Sequence, residues 1–272
     1  YQGVVLAWFA TNVMVGNLSA ALNFAALVLI LINPISTALF PAFSKLNPSG
    51  CEVGRMVRYS VKYTSLLIVP ASMYVMLTSK DLVSLVYGVK YGLAPLYLSA
   101  YSILYLYAGL GSVVWESFFN GVGETRTVFK ANVIYSLVYL PLAYLLTLYY
   151  GVMGLIAAIL TSTLSSLVYY LWAAVKRFNV TIDLRSSCKI YVSSALSSLP
   201  LAILTRYSPY PPIVNLTSSL AIYAATYATI MPLIGCIDKV DIENLRAIFG
   251  KMRYLDPIVK LVIKYETMLL RS

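Results

Sequence analysis

The sequence predicts an all-α, polytopic membrane helix bundle, and three observations predict it. Of its 272 residues, 60% are hydrophobic and 11% charged, whereas a soluble domain is about half apolar and about a quarter charged. Seven apolar runs approach or exceed the length of a bilayer crossing, and the mean hydropathy is +0.79. The basic residues collect in alternate connectors between those runs. The same composition excludes much chemistry. There is no His, and the three cysteines Cys51, Cys188 and Cys236 are scattered, so a His/Cys zinc site and a Cys-His or Ser-His-Asp nucleophile are ruled out. No Walker A sequence is present to hydrolyse ATP. No cofactor and no metal site are expected.

A hydrocarbon core of about 30 Å needs about 20 helical residues. The runs that meet this are 17–43, 59–79, 95–120, 131–150, 152–175, 190–206 and 213–235, of which 190–206 is the shortest. Tyr1–Ala10 is apolar but too short to cross, and reads as the end of a truncated helix. Residues 1–235 form the predicted bundle and 236–272 a tail too polar to span. In that tail Ile242, Leu245, Ile248, Phe249 and Met252 recur at helical spacing, as do Ile258, Val262 and Leu269. Such spacing describes amphipathic helices lying along the membrane surface. No barrel competes, because the runs are too long and do not alternate.

The connectors differ in kind. Those at 11–16, 80–94, 151 and 207–212 are short and built from Gly, Pro and Tyr, while 44–58, 121–130, 176–189 and the tail carry charge. With Lys62 at the head of the second run, the charged class accounts for 17 of the 20 Lys and Arg residues, leaving only Lys80, Lys90 and Arg206 on the other side. The two classes alternate as seven crossings require, and the basic excess places the charged loops and tail in the cytoplasm of a cell-membrane protein. The net charge of +10 then reflects orientation in a lipid bilayer, and no nucleic-acid partner is expected. All three cysteines fall on the reducing side, where a disulfide is not expected.

Pro34, Pro70, Pro141 and Pro200 lie near the middle of their spans. Each removes a backbone hydrogen bond, and transporters use such kinks as bending points, although membrane helices are richer in Pro anyway. Glu116 is the only carboxylate within a span. On a 100° wheel Tyr101, Tyr105, Ser112, Glu116 and Asn120 share one face. A charged face belongs against protein or a wet cavity, so it reads either as a substrate or proton site or as a residue that snorkels or pairs with Lys130 or Arg126. Arg55, Arg58 and Lys62 share a face at the start of the second span. They suit a phosphate group or plain anchoring to anionic lipid. Asn23 with Ser19, Asn132 with Ser136 and Tyr139, and Asn215 with Ser219, Tyr223 and Tyr227 form further polar faces, either packing contacts or a hydrophilic lumen. Gly154, Ala158, Ser162 and Ser166 repeat every four residues as a packing seam.

Several stretches carry a family resemblance. They are Val15-Gly16-Asn17-Leu18-Ser19-Ala20-Ala21, Ala38-Leu39-Phe40-Pro41-Ala42-Phe43-Ser44-Lys45-Leu46, Leu82-Val83-Ser84-Leu85-Val86-Tyr87-Gly88 with Tyr91 and Ala94, Phe119-Asn120-Gly121-Val122-Gly123-Glu124-Thr125, and Tyr150-Gly151-Val152-Met153-Gly154-Leu155-Ile156-Ala157-Ala158. Taken in order over about 10–178, the chain resembles the C-terminal half of a polysaccharide-biosynthesis flippase of the multidrug/oligosaccharidyl-lipid/polysaccharide exporter superfamily. The resemblance implies 12–14 helices in two lobes around a central cavity, of which this chain would be the C-terminal lobe and lack its N-terminal partner lobe. It implies alternating access that turns a lipid-linked oligosaccharide across the membrane, with no enzymatic step. It also implies cationic residues for the lipid's phosphate, for which Arg58 and Lys62 are the candidates. Sugar groups would meet Tyr101, Tyr105, Glu116, Asn120, Asn23 and Asn132. An ion-coupled drug or metabolite exporter of the same superfamily is the alternative, and a membrane polysaccharide polymerase or glycosyltransferase a further one, poorly served by outer loops with so few charged groups.

Overall fold

The computed structural model describes residues 1–46, 50–207, 211–237 and 241. A short helix, α1 (Gln2–Phe9), ends at Ala10. Thr11 then caps α2 (Asn12–Ser44), its side-chain oxygen accepting from the Met14 N–H at 3.3 Å. Residues 12–16, expected as a turn, are therefore the first helical turn. α3 (Cys51–Leu77) begins eight residues before its apolar run, because Glu52, Arg55 and Arg58 form polar turns at the membrane edge.

The expected connector at 80–94 contains α4 (Ser79–Tyr87) and a 3₁₀ turn, Gly88–Tyr91. Nine amphipathic residues are too few to stand out in a hydropathy trace. Beyond it the buried Asn17 of α2 accepts from the backbone N–H of Leu93 at 3.0 Å and Ala94 at 2.9 Å. That caps α5 (Ala94–Leu106), which carries Pro95 in its first turn, where no N–H is needed.

The run 95–120 is not one continuous helix. A 3₁₀ turn, Tyr107–Leu110, separates α5 from α6 (Trp115–Gly121), and the two segments are bent by 46°. Gly111 takes φ 82°, a left-handed conformation that glycine adopts without a Cβ clash. Inside a bilayer the carbonyls freed by such a break need donors. They receive them: Ser65 donates to Ala108 at 3.0 Å, Ser187 to Gly109 at 2.7 Å, Trp115 Nε1 to Leu110 at 2.8 Å, and the Tyr191 hydroxyl to Leu106.

Residues Thr125–Phe178 hold helical geometry except at Gly151, where φ is 56° and ψ −138°. A straight helix of that length would span about 80 Å. Instead Glu124 pairs with Arg177, fifty-three residues on. The segment is a hairpin of α7 (125–150) and α8 (152–178). Gly154 lies so close to the backbone of Leu146 and Thr147 that a Cβ would collide with it, which accounts for a small residue at the head of the 154–166 seam. α9 (Leu184–Tyr207) and α10 (Pro212–Leu233) complete the bundle.

Cross-helix contacts fix the topology. At one end Glu124 meets Arg177, Phe118 packs on Phe178 at 5.3 Å, and Lys189 donates to Gly235 at 2.8 Å. At the other end Asn17 meets Leu93, Gly16 neighbours Tyr91, and Gly151 neighbours Met14. All charged connectors with described contacts therefore sit at one end, as the alternation predicts. Trp115, Phe118, Phe119, Phe43 and Tyr170 form an aromatic core near that charged end. A larger aliphatic core fills the rest. Asn12–Ser44 is only one-third buried in its apolar window, so much of α2 faces away from these helices. The amphipathic residues expected at 242–269 lie outside the described residues. Cys236, Ile237 and Asp241, at the head of the tail, are buried.

Candidate functional site

Apart from the buried hydroxyls of Thr147, Ser194 and Tyr223, which have no partner among the described residues, the polar groups at membrane depth fall into two sets. In the first, each has a partner. Tyrosine hydroxyls join neighbouring helices by donating to backbone carbonyls: Tyr74 to Leu216 at 2.8 Å, Tyr105 to Ala25 at 3.0 Å, Tyr107 to Leu160 at 3.3 Å and Tyr227 to Leu66 at 3.1 Å. Ser72 donates to the Ser102 carbonyl at 2.6 Å. Lys62 belongs to this set. Its ammonium lies 2.5 Å from Asp241, whose other carboxylate oxygen accepts from the Tyr63 hydroxyl at 3.0 Å. Asp241 is 1% exposed and Lys62 12%.

The second set lies on α1, α5 and α7. Tyr135 and Tyr139 stack at 5.4 Å, one turn apart on α7, and Tyr1 meets Tyr139 edge-on at 6.0 Å. The phenol of Tyr101, on α5, lies within electrostatic reach of those of Tyr135 and Tyr139. Among the described residues the hydroxyls of Tyr101, Tyr135 and Tyr139 have no hydrogen-bond partner, yet none is sealed from solvent. Donors and acceptors in this state belong to water or a ligand.

Glu116 lies apart from these phenols. It lines a cleft of about 250 Å³ with Ile32 and Ser36 of α2, Tyr105 of α5, Ser112 and Thr163. Tyr170 is within reach of its charge. It is exposed and forms no ion pair among the described residues, so the expected partners Lys130 and Arg126 do not take it. The break at 107–114 alters the wheel on which the stripe was drawn. Tyr105, Ser112 and Glu116 still share the cleft, but Tyr105 spends its hydroxyl on Ala25 and serves packing. Asn120 is half-buried one turn beyond Glu116.

The remaining candidates disperse. Asn132 is exposed on α7. Asn23 donates to the Tyr87 hydroxyl at 3.0 Å, joining α2 to α4. Arg58 is exposed at the charged end, its Nε donating to Gly54 at 3.2 Å. The described neighbours of Lys62 belong to α9 and the segment after α10, including Asp183 and Cys236, whereas those of Glu116 belong to α2, α5 and α8. Tyr135 escaped the sequence reading, although its four-residue spacing from Tyr139 was a usable signal. A second cleft, about 390 Å³ and almost wholly apolar, lies between α2, α3 and α10, lined by Leu31, Leu67, Ala71, Leu220 and Ala224 among others.

Comparison with known proteins bears on this geometry. Residues 1–95 match the family described as polysaccharide biosynthesis protein. The fold is that of the lipid II flippase MurJ in its inward closed conformation, with a TM-score of 0.70 at 18% identity over 84% of this chain and 49% of that one. The resemblance to polysaccharide flippases holds. A protein of Shigella dysenteriae described as an O-antigen transporter is 25% identical over 161 residues, 59% of this chain and 40% of its own length. The chain thus spans less than half the length of the relatives it matches.

Proposed function

We propose that this chain forms one wall of a transporter that passes lipid-linked oligosaccharide or polysaccharide precursors across the cell membrane by alternating access, without enzymatic chemistry. The observation that carries the reading is the group of accessible Tyr101, Tyr135 and Tyr139 hydroxyls without partners among the described residues, together with an exposed Glu116 in a cleft of its own. Polar groups this deep in a bilayer are costly unless they line a wet passage. A second lobe supplies the opposite wall, and the exposed polar face of α2 (Ser19, Asn23, Asn33 and Thr37) turns toward it. The charged end is cytoplasmic by its basic excess. Arg58, exposed there, receives the lipid's phosphate, a role Lys62 shares only when Asp241 releases it. The apolar cleft between α2, α3 and α10 suits a lipid tail.

Cysteines placed singly at positions 101, 116, 135 and 139 of the full-length protein should react with a membrane-impermeant thiol reagent from one side of the membrane at a time. Positions sealed from water in every state would overturn the reading. The uncompensated carboxylate of Glu116 favours a second reading, a proton- or sodium-driven exporter of organic cations. Under it, Glu116→Gln abolishes pH-dependent cation efflux and no lipid-linked sugar moves.

A further inference from the structure

Lys62 and Tyr63, neighbours on α3, converge on one carboxylate. The Lys62 ammonium lies 2.5 Å from one oxygen of Asp241, and the Tyr63 hydroxyl donates to the other at 3.0 Å. A buried ion pair is a poor device for stability alone, because well-packed apolar side chains of similar volume often do as well. This one offers two donors, one of them charged, aimed at a pair of oxygens. Two oxygens of a phosphate group present the same acceptors and carry more negative charge. The surroundings suit such an anion. Arg58 stands one turn nearer the charged end, exposed, on the same face of α3. Lys189 of α9 donates to the Gly235 carbonyl at 2.8 Å, at the root of the segment that carries Asp241. Asp183, a second carboxylate within reach of Lys62, is taken up by the Ser186 hydroxyl at 2.6 Å and by the N–H groups of Arg185 and Ser186. Asp241 is carried beyond α10, past the left-handed Gly235, rather than on a spanning helix. In the same segment Cys236 is buried, its Sγ 3.2 Å from the Ser193 hydroxyl.

We propose that Lys62 and Tyr63 form an exchange site for a phosphate or pyrophosphate group, and that Asp241 fills it as a tethered stand-in until cargo arrives. The proposal rests on the transport reading above and names how its phosphate end is regulated. Tethering gives the carboxylate an effective concentration on the order of millimolar, enough to exclude weakly bound anions. A pyrophosphate ester, with its higher charge, takes both donors, and Asp241 leaves with the segment that bears it. Loading of cargo and undocking of that segment are thus one event. Cys236 reports it. Burial pushes its thiol up, and the thiolate is the reactive form, so a docked segment is slow to alkylate.

The test uses full-length protein with Cys236 as its only cysteine, in nanodiscs, and follows alkylation by N-ethylmaleimide. A polyprenyl pyrophosphate bearing an N-acetylhexosamine disaccharide should speed labelling about tenfold, as loss of one charge-assisted hydrogen bond to the segment would. The uncharged polyprenol should not. Acceleration by the lipid alone assigns the site to a lipid head group, and equal acceleration by inorganic pyrophosphate assigns it to a free phosphate; both support the exchange. Asp241→Asn, which keeps the shape and loses the charge, should label at the fast rate with no anion added. The double variant Lys62→Met/Asp241→Leu, which puts an apolar contact in the same place, should label slowly whatever is added. Wild-type labelling that ignores both anions, Asp241→Asn labelling as slowly as wild type, or a double variant that still responds would each overturn the exchange site. A protein that moves the disaccharide probe across proteoliposomes with Cys236 sealed throughout overturns it too, and leaves the transport reading intact. One that unseals Cys236 on adding the probe yet moves none overturns the transport reading and leaves the site.

Discussion

Tyr105 and Tyr101 stand one turn apart on the same helix, and they behave oppositely. Tyr105 is buried and hands its hydroxyl to the carbonyl of Ala25 on α2, while the half-buried Tyr101 has no hydrogen-bond partner for its hydroxyl among the described residues. The contrast extends to whole regions. On the α3–α9–α10 side polar contacts that end in the Lys62–Tyr63–Asp241 group join the helices, although the buried hydroxyls of Ser194 and Tyr223 have no partner among the described residues. The α1–α5–α7 side leaves its polar groups open. In a membrane protein a satisfied polar group holds helices together, and an unsatisfied accessible one is where a ligand acts.

The largest effect expected is on the α3–α9–α10 side. Lys62→Met leaves Asp241 buried without its cation and should cost about 3–5 kcal/mol of stability. A thermal melt in detergent would show it, and adding Asp241→Leu should recover most of the loss. Full stability in the single variant would mean that this side is not held together as described. Next, Tyr105→Phe should lower stability by about 1 kcal/mol, whereas Tyr101→Phe should stay within about 0.5 kcal/mol of wild type. Equal losses would erase the distinction between the two tyrosines.

Smaller still is the Glu124–Arg177 pair, about one-third exposed. Glu124→Gln should cost less than about 1 kcal/mol, and the cost should vanish in high salt. The smallest effect concerns Asp183. Hydrogen bonds from the Ser186 hydroxyl, and then from the N–H groups of Ser186 and Arg185, hold its carboxyl below the ordinary carboxylate range. A carboxyl depressed in the folded state stabilises above its unfolded value near about 4, and that contribution disappears as pH falls through the lower folded value. Melting between pH 5 and pH 2 should therefore decline slightly less in Asp183→Asn than in wild type.

The comparison also marks what could be read in advance. Hydropathy located the long apolar helices because each run must match the thickness of lipid, and the alternation of charge anticipated that the charged connectors gather at one end. The Gly151 turn was legible because Gly-Val-Met-Gly interrupts two runs that are each long enough to span. The helix α4 was not, since nine amphipathic residues carry little periodic signal. Nor was the break at 107–114, whose stability lies in donors from Ser65, Ser187 and Tyr191, far away in sequence.

What the residues determined by themselves was a set of membrane-crossing helices, their alternation and the end that bears charge, because those follow from length and composition summed along a segment. Which tyrosines join helices and which stay open was decided only by the packed bundle. So was the capture of Lys62 by Asp241. A hydrogen bond depends on where a second group arrives in space, and no local pattern of residues carries that information.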